Sequence, residues 1–393
     1  MYIRGRIAKL ITSCLCSVAA LMFTLLSTSA SAADWYFDPD ATLTIEHNDN
    51  RLLTTDFPDD VWGRIINVKA NIGQETESSN IAIRPRFYFS RYSGDEDLNT
   101  RDQFLDLLSS YQAESSIWSL NGNYSRDTTL DSELEESGRV QNNVRRNKWN
   151  LDPSWTGEAS DTSNVQMGLS YTSVAYEDGI MFGYFDYDVS TVSARYSHNW
   201  RESTDITATL YGNRFETEDI DNTTDSYGIT FGFVFEDTES LEWEIEAGLR
   251  RSVFKSIFLP DNEVKDNGYV LDFSLLKKFE YTRWNMSLNH SLLPSSSGRL
   301  LEQNKIVLNN TYEITHAVNS KLNLVLLRND QVLQNGIGNL NRDYYSALVG
   351  LRWRMMENWY LDGDYNYRYN KYDNNPDSAT SNAVHFTISY YGR

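Results

Sequence analysis

The sequence predicts an all-β protein: a transmembrane antiparallel β-barrel of about 18 strands (roughly 16–18) behind a cleaved export signal. Three observations predict it. Apolar and polar residues alternate in segments of about ten residues along nearly the whole chain, the period of a strand with one greasy and one wet face. Beyond the first 32 residues no apolar run reaches the ~18 needed for a membrane-spanning helix. The connectors between alternating segments are long and short in turn, as in a barrel whose two rims differ.

Residues 1–32 read as a signal peptide, and 33–393 as one barrel domain. Arg4, Arg6 and Lys9 form a basic start, Leu10 to Leu26 an apolar stretch, and Ala30-Ser31-Ala32 a small-x-small cleavage site. Cys14 and Cys16, the only cysteines, fall inside this segment, so the exported chain has neither disulfides nor a cysteine metal site. The formal charge is -20; the signal carries three basic and no acidic residues, so the remainder carries 32 - 55 = -23. Phosphate binding wants a basic surface, so nucleic acid is excluded as a partner. An export signal, no helical span and pervasive alternation point to a Gram-negative outer membrane, with both termini periplasmic.

The clearest stretch is Tyr227–Val253. Tyr227, Ile229, Phe231, Phe233 and Phe235 share one face; after a polar turn, Leu241, Trp243, Ile245, Ala247 and Leu249 resume it. Glu242, Glu244, Glu246 and Arg250 take the other face. In chain order, the lipid-facing sets begin with Ala41-Leu43-Ile45, Ile66-Val68-Ala70-Ile72 and Ile81-Ile83-Phe87-Phe89. Leu105-Leu107-Tyr111, Trp118-Leu120-Tyr124, Trp149-Leu151-Trp155 and Val165-Met167-Leu169-Tyr171 follow. Val192-Ala194-Tyr196-Trp200 and Ile206-Ala208-Leu210 lead into the hairpin. After it come Tyr269-Leu271-Phe273-Leu275-Phe279, Trp284-Met286-Leu288-Leu292, Ile306-Leu308-Tyr312 and Leu322-Leu324-Leu326. Tyr345-Ala347-Val349-Leu351-Trp353, Trp359-Leu361-Tyr365-Tyr367-Tyr369 and Val384-Phe386-Ile388-Tyr390 end the series. Pro85 and Pro153 fall inside strands, where a missing ladder donor predicts local bulges.

The inward positions are rich in charge. Lys69, Arg84, Arg86, Arg195, Arg250, Arg352, Arg354 and Arg368 are basic; Glu242, Glu244, Glu246, Asp362 and Asp364 are acidic. They form either an internal ion-pair network or the lining of a permeation path. Barrel closure brings early and late strands together, so the arginines at 84, 86, 352, 354 and 368 are expected on one wall, opposite the glutamate ladder at 242–246. Inward Tyr88, Tyr211, Tyr344 and Tyr360 offer stacking surfaces or filler. The acidic loops around Asp95–Asp97, Asp131–Glu136 and Glu216–Asp221 read as solvated, with cation bridging to lipopolysaccharide phosphates as the alternative. Asp219-x-Asp221 lacks the glycine and distal glutamate of an EF-hand, so no metal site is assigned. No enzyme signature stands out: His290-Ser291 is the nearest serine–histidine pair in sequence, but strand neighbours face opposite ways. No cofactor is expected.

ATLTIEHNDNRLLT (Ala41–Thr54), with Glu46, Asn48, Asp49 and Asn50 at its acidic-x-Asn-Asp-Asn core, and RPRFYFSRY (Arg84–Tyr92) resemble the outer-membrane barrels of exopolysaccharide and exosortase (PEP-CTERM) loci. These are the EpsL-like proteins and the β-barrel porin-2 group. The resemblance implies a non-enzymatic, porin-like barrel in exopolysaccharide export or assembly. Its implied partners are outer-membrane lipid and lipopolysaccharide, exopolysaccharide, and periplasmic export proteins. A general diffusion porin for small solutes, or a structural or adhesive barrel with a closed lumen, fits the same pattern.

Overall fold

Hydrogen-bonded strand pairing runs from neighbour to neighbour around a complete ring of 18 antiparallel strands. The computed structural model describes residues 33–136, 138, 142–217, 219–237, 240–256, 263–332 and 341–392; the expected signal peptide, residues 1–32, lies outside them. The strands are β1 (Asp34–Asn48), β2 (Val61–Glu75), β3 (Ser79–Ser93), β4 (Thr100–Gln112), β5 (Ser116–Thr128) and β6 (Arg145–Ser160). Then come β7 (Ser163–Tyr176), β8 (Tyr187–Arg201), β9 (Thr204–Thr217), β10 (Asn222–Asp237), β11 (Leu241–Lys255) and β12 (Glu263–Lys278). The last third is β13 (Thr282–Pro294), β14 (Leu300–Thr315), β15 (Val318–Gln331), β16 (Arg342–Met356), β17 (Trp359–Tyr372) and β18 (Ala379–Tyr391). One α-helical turn, α1 (Thr129–Ser132), follows β5.

The ring closes where β1 pairs with β18, from Asp40↔Tyr391 to Asn48↔Ala383. A barrel in hydrocarbon must satisfy every backbone polar group internally, and closure does this by removing the sheet edges. The alternation sets which face is which. The large apolar side chains of the predicted lipid-facing sets, among them Ile66, Phe89, Leu169, Phe231, Leu351 and Phe386, are exposed on the outer wall. Their strand neighbours point into the barrel, where Glu46, Asp102, Thr230, Arg250, Asp362 and Arg368 are buried. No helix among the described residues is long and apolar enough to cross a membrane.

Bulges expected at Pro85 and Pro153 are absent. Lys69↔Arg86 and Ile72↔Ile83 are in one unbroken frame, as are Leu151↔Tyr171 and Ser154↔Gly168. The ladder lapses for two residues on one side, while Pro85 still pairs with Leu105 and Pro153 with Leu120 on the other. Each strand residue bonds to only one neighbour, so a missing N–H weakens one ladder without shifting register. The register shifts that do occur, at Glu158/Ser160, Asn199/Arg201, Glu313/Thr315 and Arg354/Met356, all adjoin short turns.

One ladder is incomplete. β12 and β13 pair only from Leu271↔His290 to Lys278↔Arg283. Above that point the tip of the β13–β14 hairpin tilts into the barrel. Leu292, predicted to face lipid, packs instead beside Leu300 against an interior cluster that includes Tyr184, Tyr187, Phe215 and Phe254.

Strand packing is tight at Gly248. A Cβ there would lie 2.0 Å from the Ile229 carbonyl oxygen and 2.6 Å from Thr230 Cα, both backbone. At Gly212 the nearest atom is a Tyr227 ring carbon at 3.5 Å, an ordinary contact. Gly248→Val is therefore expected to cost about 1–3 kcal/mol, and Gly212→Val under about 0.5 kcal/mol. The temperature at which the compact, fast-migrating barrel is lost on an unheated gel checks both.

Candidate functional site: a constriction inside the lumen

The loop between β5 and β6 does not stay at the rim. α1 and the turn after it fold into the barrel, held by three apolar anchors. Leu130 is buried with Val61, Tyr92 and Leu98. Leu134 packs on Leu53, Val325, Leu327, Tyr344 and Ala379. Val144 joins Val174, Tyr176, Tyr184 and Phe215. These clusters stand on β2–β3, on β15, β16 and β18, and on β7–β9. Since β6 and β15 lie half a turn of the ring apart, the loop crosses the whole lumen.

A loop inside a barrel brings carbonyls that need donors. The wall supplies them. Arg342, fully buried, donates through Nη2 to the carbonyls of Leu134 (2.6 Å) and Glu136 (3.4 Å) and through Nη1 to Asn370 Oδ1 (3.3 Å). Gln303 Nε2 donates to the Glu135 carbonyl at 3.1 Å, and Asn329 Nδ2 to that of Glu136 at 2.5 Å.

The acidic side chains of this loop, expected to form a solvated face, are paired with the inner wall, although Asp131 and Glu135 stay half-exposed. Asp131 pairs with Arg51 (2.5 Å), Glu135 with Lys305 (2.5 Å) and Glu136 with Arg146 (3.4 Å). Glu133 is fully buried where three segments meet. It accepts from Tyr176 Oη at 2.7 Å and from Ser296 Oγ, in the inward-tilted hairpin tip, at 2.8 Å; Arg146 Nη1 lies 3.9 Å away. The β7–β8 connector closes over this point, with the Phe185 N–H donating to the Ser296 carbonyl at 2.8 Å. Acidity therefore matches the loop to a basic wall, and composition alone could not distinguish this from solvation.

Most of the predicted lining residues face inward but are paired. Lys69 bonds Asp40 at 3.1 Å. Arg195 holds Glu244 (2.6 Å) and Glu246 (3.5 Å), and Lys278 lies 3.7 Å from Glu242, so the glutamate ladder is largely neutralised. Arg250 reaches Asp266 (3.4 Å) and Glu302 (3.3 Å). Arg352 binds Asp362 at 2.8 Å, while Lys321 bridges Asp362 (3.2 Å) and Asp364 (2.8 Å).

The expected single arginine wall does not form. Arg84 and Arg86 stand midway up β3; Arg352 and Arg354 sit at the short-turn end of β16, and Arg368 near the long-loop end of β17. Antiparallel strands run in opposite directions, so residues near in sequence to opposite strand ends are far apart in height. Arg84 and Arg86 remain water-facing. Arg84 Nε donates to Asn71 Oδ1 at 3.0 Å, and the Arg86 guanidinium lies 3.8 Å from the Phe104 ring centre. Arg354 donates to the His316 carbonyl at 3.0 Å. Arg368 is buried, and its Nη1 has no hydrogen-bond partner among the described residues.

The acidic-x-Asn-Asp-Asn stretch clasps the closure seam. Asn48 Nδ2 donates to Glu46 Oε1 (3.0 Å) and Asn48 Oδ1 accepts from Ser381 Oγ of β18 (2.9 Å). Asp49 accepts from the Asn382 N–H (2.6 Å) and Nδ2 (2.7 Å), while Asn50 Nδ2 donates to the Thr380 carbonyl (2.9 Å). Tyr92 Oη donates to Glu46 at 3.0 Å. Sequence reading missed one serine–histidine contact on adjacent strands, Ser163 Oγ to His198 Nδ1 at 2.9 Å; the spacing of 35 residues becomes a neighbour only through the β7–β8 register. His290 instead meets Asn304 Oδ1 (2.8 Å) and Glu302 (3.1 Å) and stacks on Tyr269. No cluster of metal-ligating side chains occurs among the described residues.

No family model matches the sequence, and no curated protein matches it. Several solved outer-membrane proteins are similar in structure at low identity. Pseudomonas aeruginosa OpdK with vanillate has a TM-score of 0.44 and 11% identity, over 90% of this chain and 98% of that one. Acinetobacter baumannii OccAB3 has a TM-score of 0.47 and 9% identity, over 91% and 99%. Pseudomonas aeruginosa OccK2 (OpdF) in complex with glucuronate has a TM-score of 0.47 and 8% identity, over 91% and 98%.

Two expectations concern the crossing loop. Arg342→Ala removes the donor to the Leu134 carbonyl and the weaker of two donors to the Glu136 carbonyl, a loss of about 1–3 kcal/mol in docking. Cleavage by a glutamate-specific protease within residues 131–136 should then accelerate at least about tenfold while the barrel stays compact on an unheated gel. The second concerns pH. Burial, with Glu133 alongside, raises the Glu136 carboxyl above its ordinary range, against the opposing pull of Arg146 and Lys148. An acid whose docked value is raised stabilises docking fully below its free value of about 4.5 and loses that contribution as pH climbs through the raised value. A dye on Ser132→Cys, the sole cysteine beyond residue 32, should report growing exposure as pH rises past the ordinary glutamate range. Glu136→Gln should flatten that profile.

Proposed function

We propose that this chain is an outer-membrane porin-like barrel that passes small polar solutes through an aqueous lumen narrowed by the β5–β6 loop, with the short turns and both termini periplasmic. A ring of 16–18 strands leaves room for a water-filled channel. The observation that carries the reading is the crossing loop. It holds Arg51, Arg146 and Lys305 of the upper wall in ion pairs and leaves Arg84 and Arg86 water-facing below it. A path that is narrow above and lined by free cations below suits sorting of small solutes by size and charge.

The same loop weighs against free passage of a polysaccharide strand. A segment anchored on three walls divides the lumen, and a chain of linked sugars needs one continuous wide path. Exopolysaccharide export, implied by the family resemblance, would require the loop to leave its three anchors.

Single-channel recording of the refolded full chain in planar bilayers tests the proposal. Stable open steps are expected, and Arg84→Glu with Arg86→Glu should shift ion preference severalfold toward cations. Absence of steps from correctly folded barrels, or unchanged selectivity in the double variant, overturns it. Steps that grow greatly in Arg342→Ala alone would favour a barrel opened by loop release.

A further inference from the structure

Three arginines stand together on the outer wall near the long-loop rim. Arg64 on β2, Arg91 on β3 and Arg101 on β4 all point away from the lumen and are exposed. Each follows the lipid-facing parity of its strand, close above Ile66, Phe89 and Leu105. Arg64 and Arg91 are direct cross-strand partners, and Arg101, which pairs with Phe89, is diagonal to Arg91. Like charges placed opposite one another repel. None of their guanidinium groups makes an ion pair or hydrogen bond among the described residues, in a chain with 55 acidic against 35 basic residues; Arg101 only accepts, through its carbonyl, from Arg145 Nη1 (3.2 Å).

Elsewhere most outward cations near the long-loop end are neutralised or, like Arg251 on β11, stand alone between uncharged cross-strand partners, Tyr227 and Asn267. Arg214 lies 2.9 Å from Glu216, and Lys255 3.2 Å from Asp225. Lys265 lies 3.0 Å from Glu263, and Arg328 touches Asp330 (3.1 Å), Asp343 (3.1 Å) and Asp373 (3.4 Å). Next to the triad, Arg126 is held by Glu177 (3.0 Å) and Arg145 by Asp102 (2.7 Å). Arg91 and Arg101 also line a cleft of about 970 Å³ together with Phe89, Glu96, Asn99 and Arg145, and Arg64 stands beside it on β2. Its floor is apolar at Phe89 and its walls are predominantly cationic.

We propose that the outer face of β2–β4 binds a phosphate-bearing lipid headgroup of the outer leaflet, its phosphates held by Arg64, Arg91 and Arg101 and its acyl chains lying along Ile66, Phe89 and Leu105. Guanidinium groups bind phosphate through paired, charge-assisted hydrogen bonds, and a phosphate between Arg64 and Arg91 relieves their repulsion. An acyl-bearing ligand fits because the cations stand directly on the apolar belt. The acidic loop at 131–136 cannot bridge to such phosphates through cations, since it is folded inside the barrel. The site rests on the reading that the long-loop rim faces the outer leaflet, but it is measured in detergent and so can fail or succeed apart from conduction.

Native mass spectrometry of the refolded full chain with added lipid A provides the test. The unmodified protein should retain phosphorylated lipid A at least about tenfold better than the same lipid stripped of phosphate. Arg64→Gln with Arg91→Gln and Arg101→Gln should lose that preference, while Arg214→Gln with Arg328→Gln, removing paired rim cations, should keep it. Equal retention of both lipids by the unmodified protein overturns the proposal without need of a variant. So does full retention by the triple variant, or displacement of lipid A by equimolar inorganic phosphate, which would mark a site for free phosphate.

Discussion

Every other feature depends on β1 finding β18. Until that ladder forms, two strands present unpaired N–H and C=O groups to hydrocarbon, each at a cost of several kcal/mol. Closure also fixes register. With a side-chain period of two, a slip of one residue anywhere would turn a lipid face into a luminal one. The stretch Glu46–Asn50 acts at this seam, its amides and carboxylates bonding to Thr380, Ser381 and Asn382 just where the strands part. Tyr92 ties the seam to β3 through Glu46. A motif noticed for its resemblance to other barrels thus has a sufficient structural task in this one.

Once closed, the ring has an interior that must be reconciled with its charge. A net-acidic chain has placed much of its basic content on the inner wall, where carboxylates from neighbouring strands meet it. Arg195 with Glu244 and Glu246, and Lys321 with Asp362 and Asp364, are local solutions within a few strands. The crossing loop is a long-range solution, joining Arg51, Arg146 and Lys305 through one short run of acids. Such pairs hold geometry more than they add stability, because each charge must first leave water. Here the geometry held is the position of a loop across a channel.

Strand number, lipid faces and the long–short rhythm of connectors were legible because they follow from a period of two and from turn composition. Inward direction was equally legible: Tyr344 and Arg250 lie on the luminal face as parity requires. What the pattern cannot carry is height and destination. Arg84 and Arg354 share a face, but nothing local says that one stands mid-barrel and the other beside a turn. Asp131–Glu136 has the composition of a solvated loop, and its destination depends on Arg342 and Lys305, some 170 residues or more away in sequence. Leu292 obeys the alternation and still faces inward, because the hairpin carrying it leans as a body. Pro85 and Pro153 show that a rule about donors need not become a rule about register.

That lean has a further consequence. Where β13 departs from β12, residues Glu263–Val270 keep their bonds to β11 but present their other side unpaired, so a barrel without edges in its belt has one at its mouth. A free strand edge invites other chains to add to it. This one is studded with Glu263, Lys265 and Asp266, and the first two are locked together at 3.0 Å. Charge along an exposed edge is how water-soluble sheets discourage unwanted pairing. The same safeguard has been carried onto the rim of a membrane protein at the place where, among the described residues, its wall comes apart.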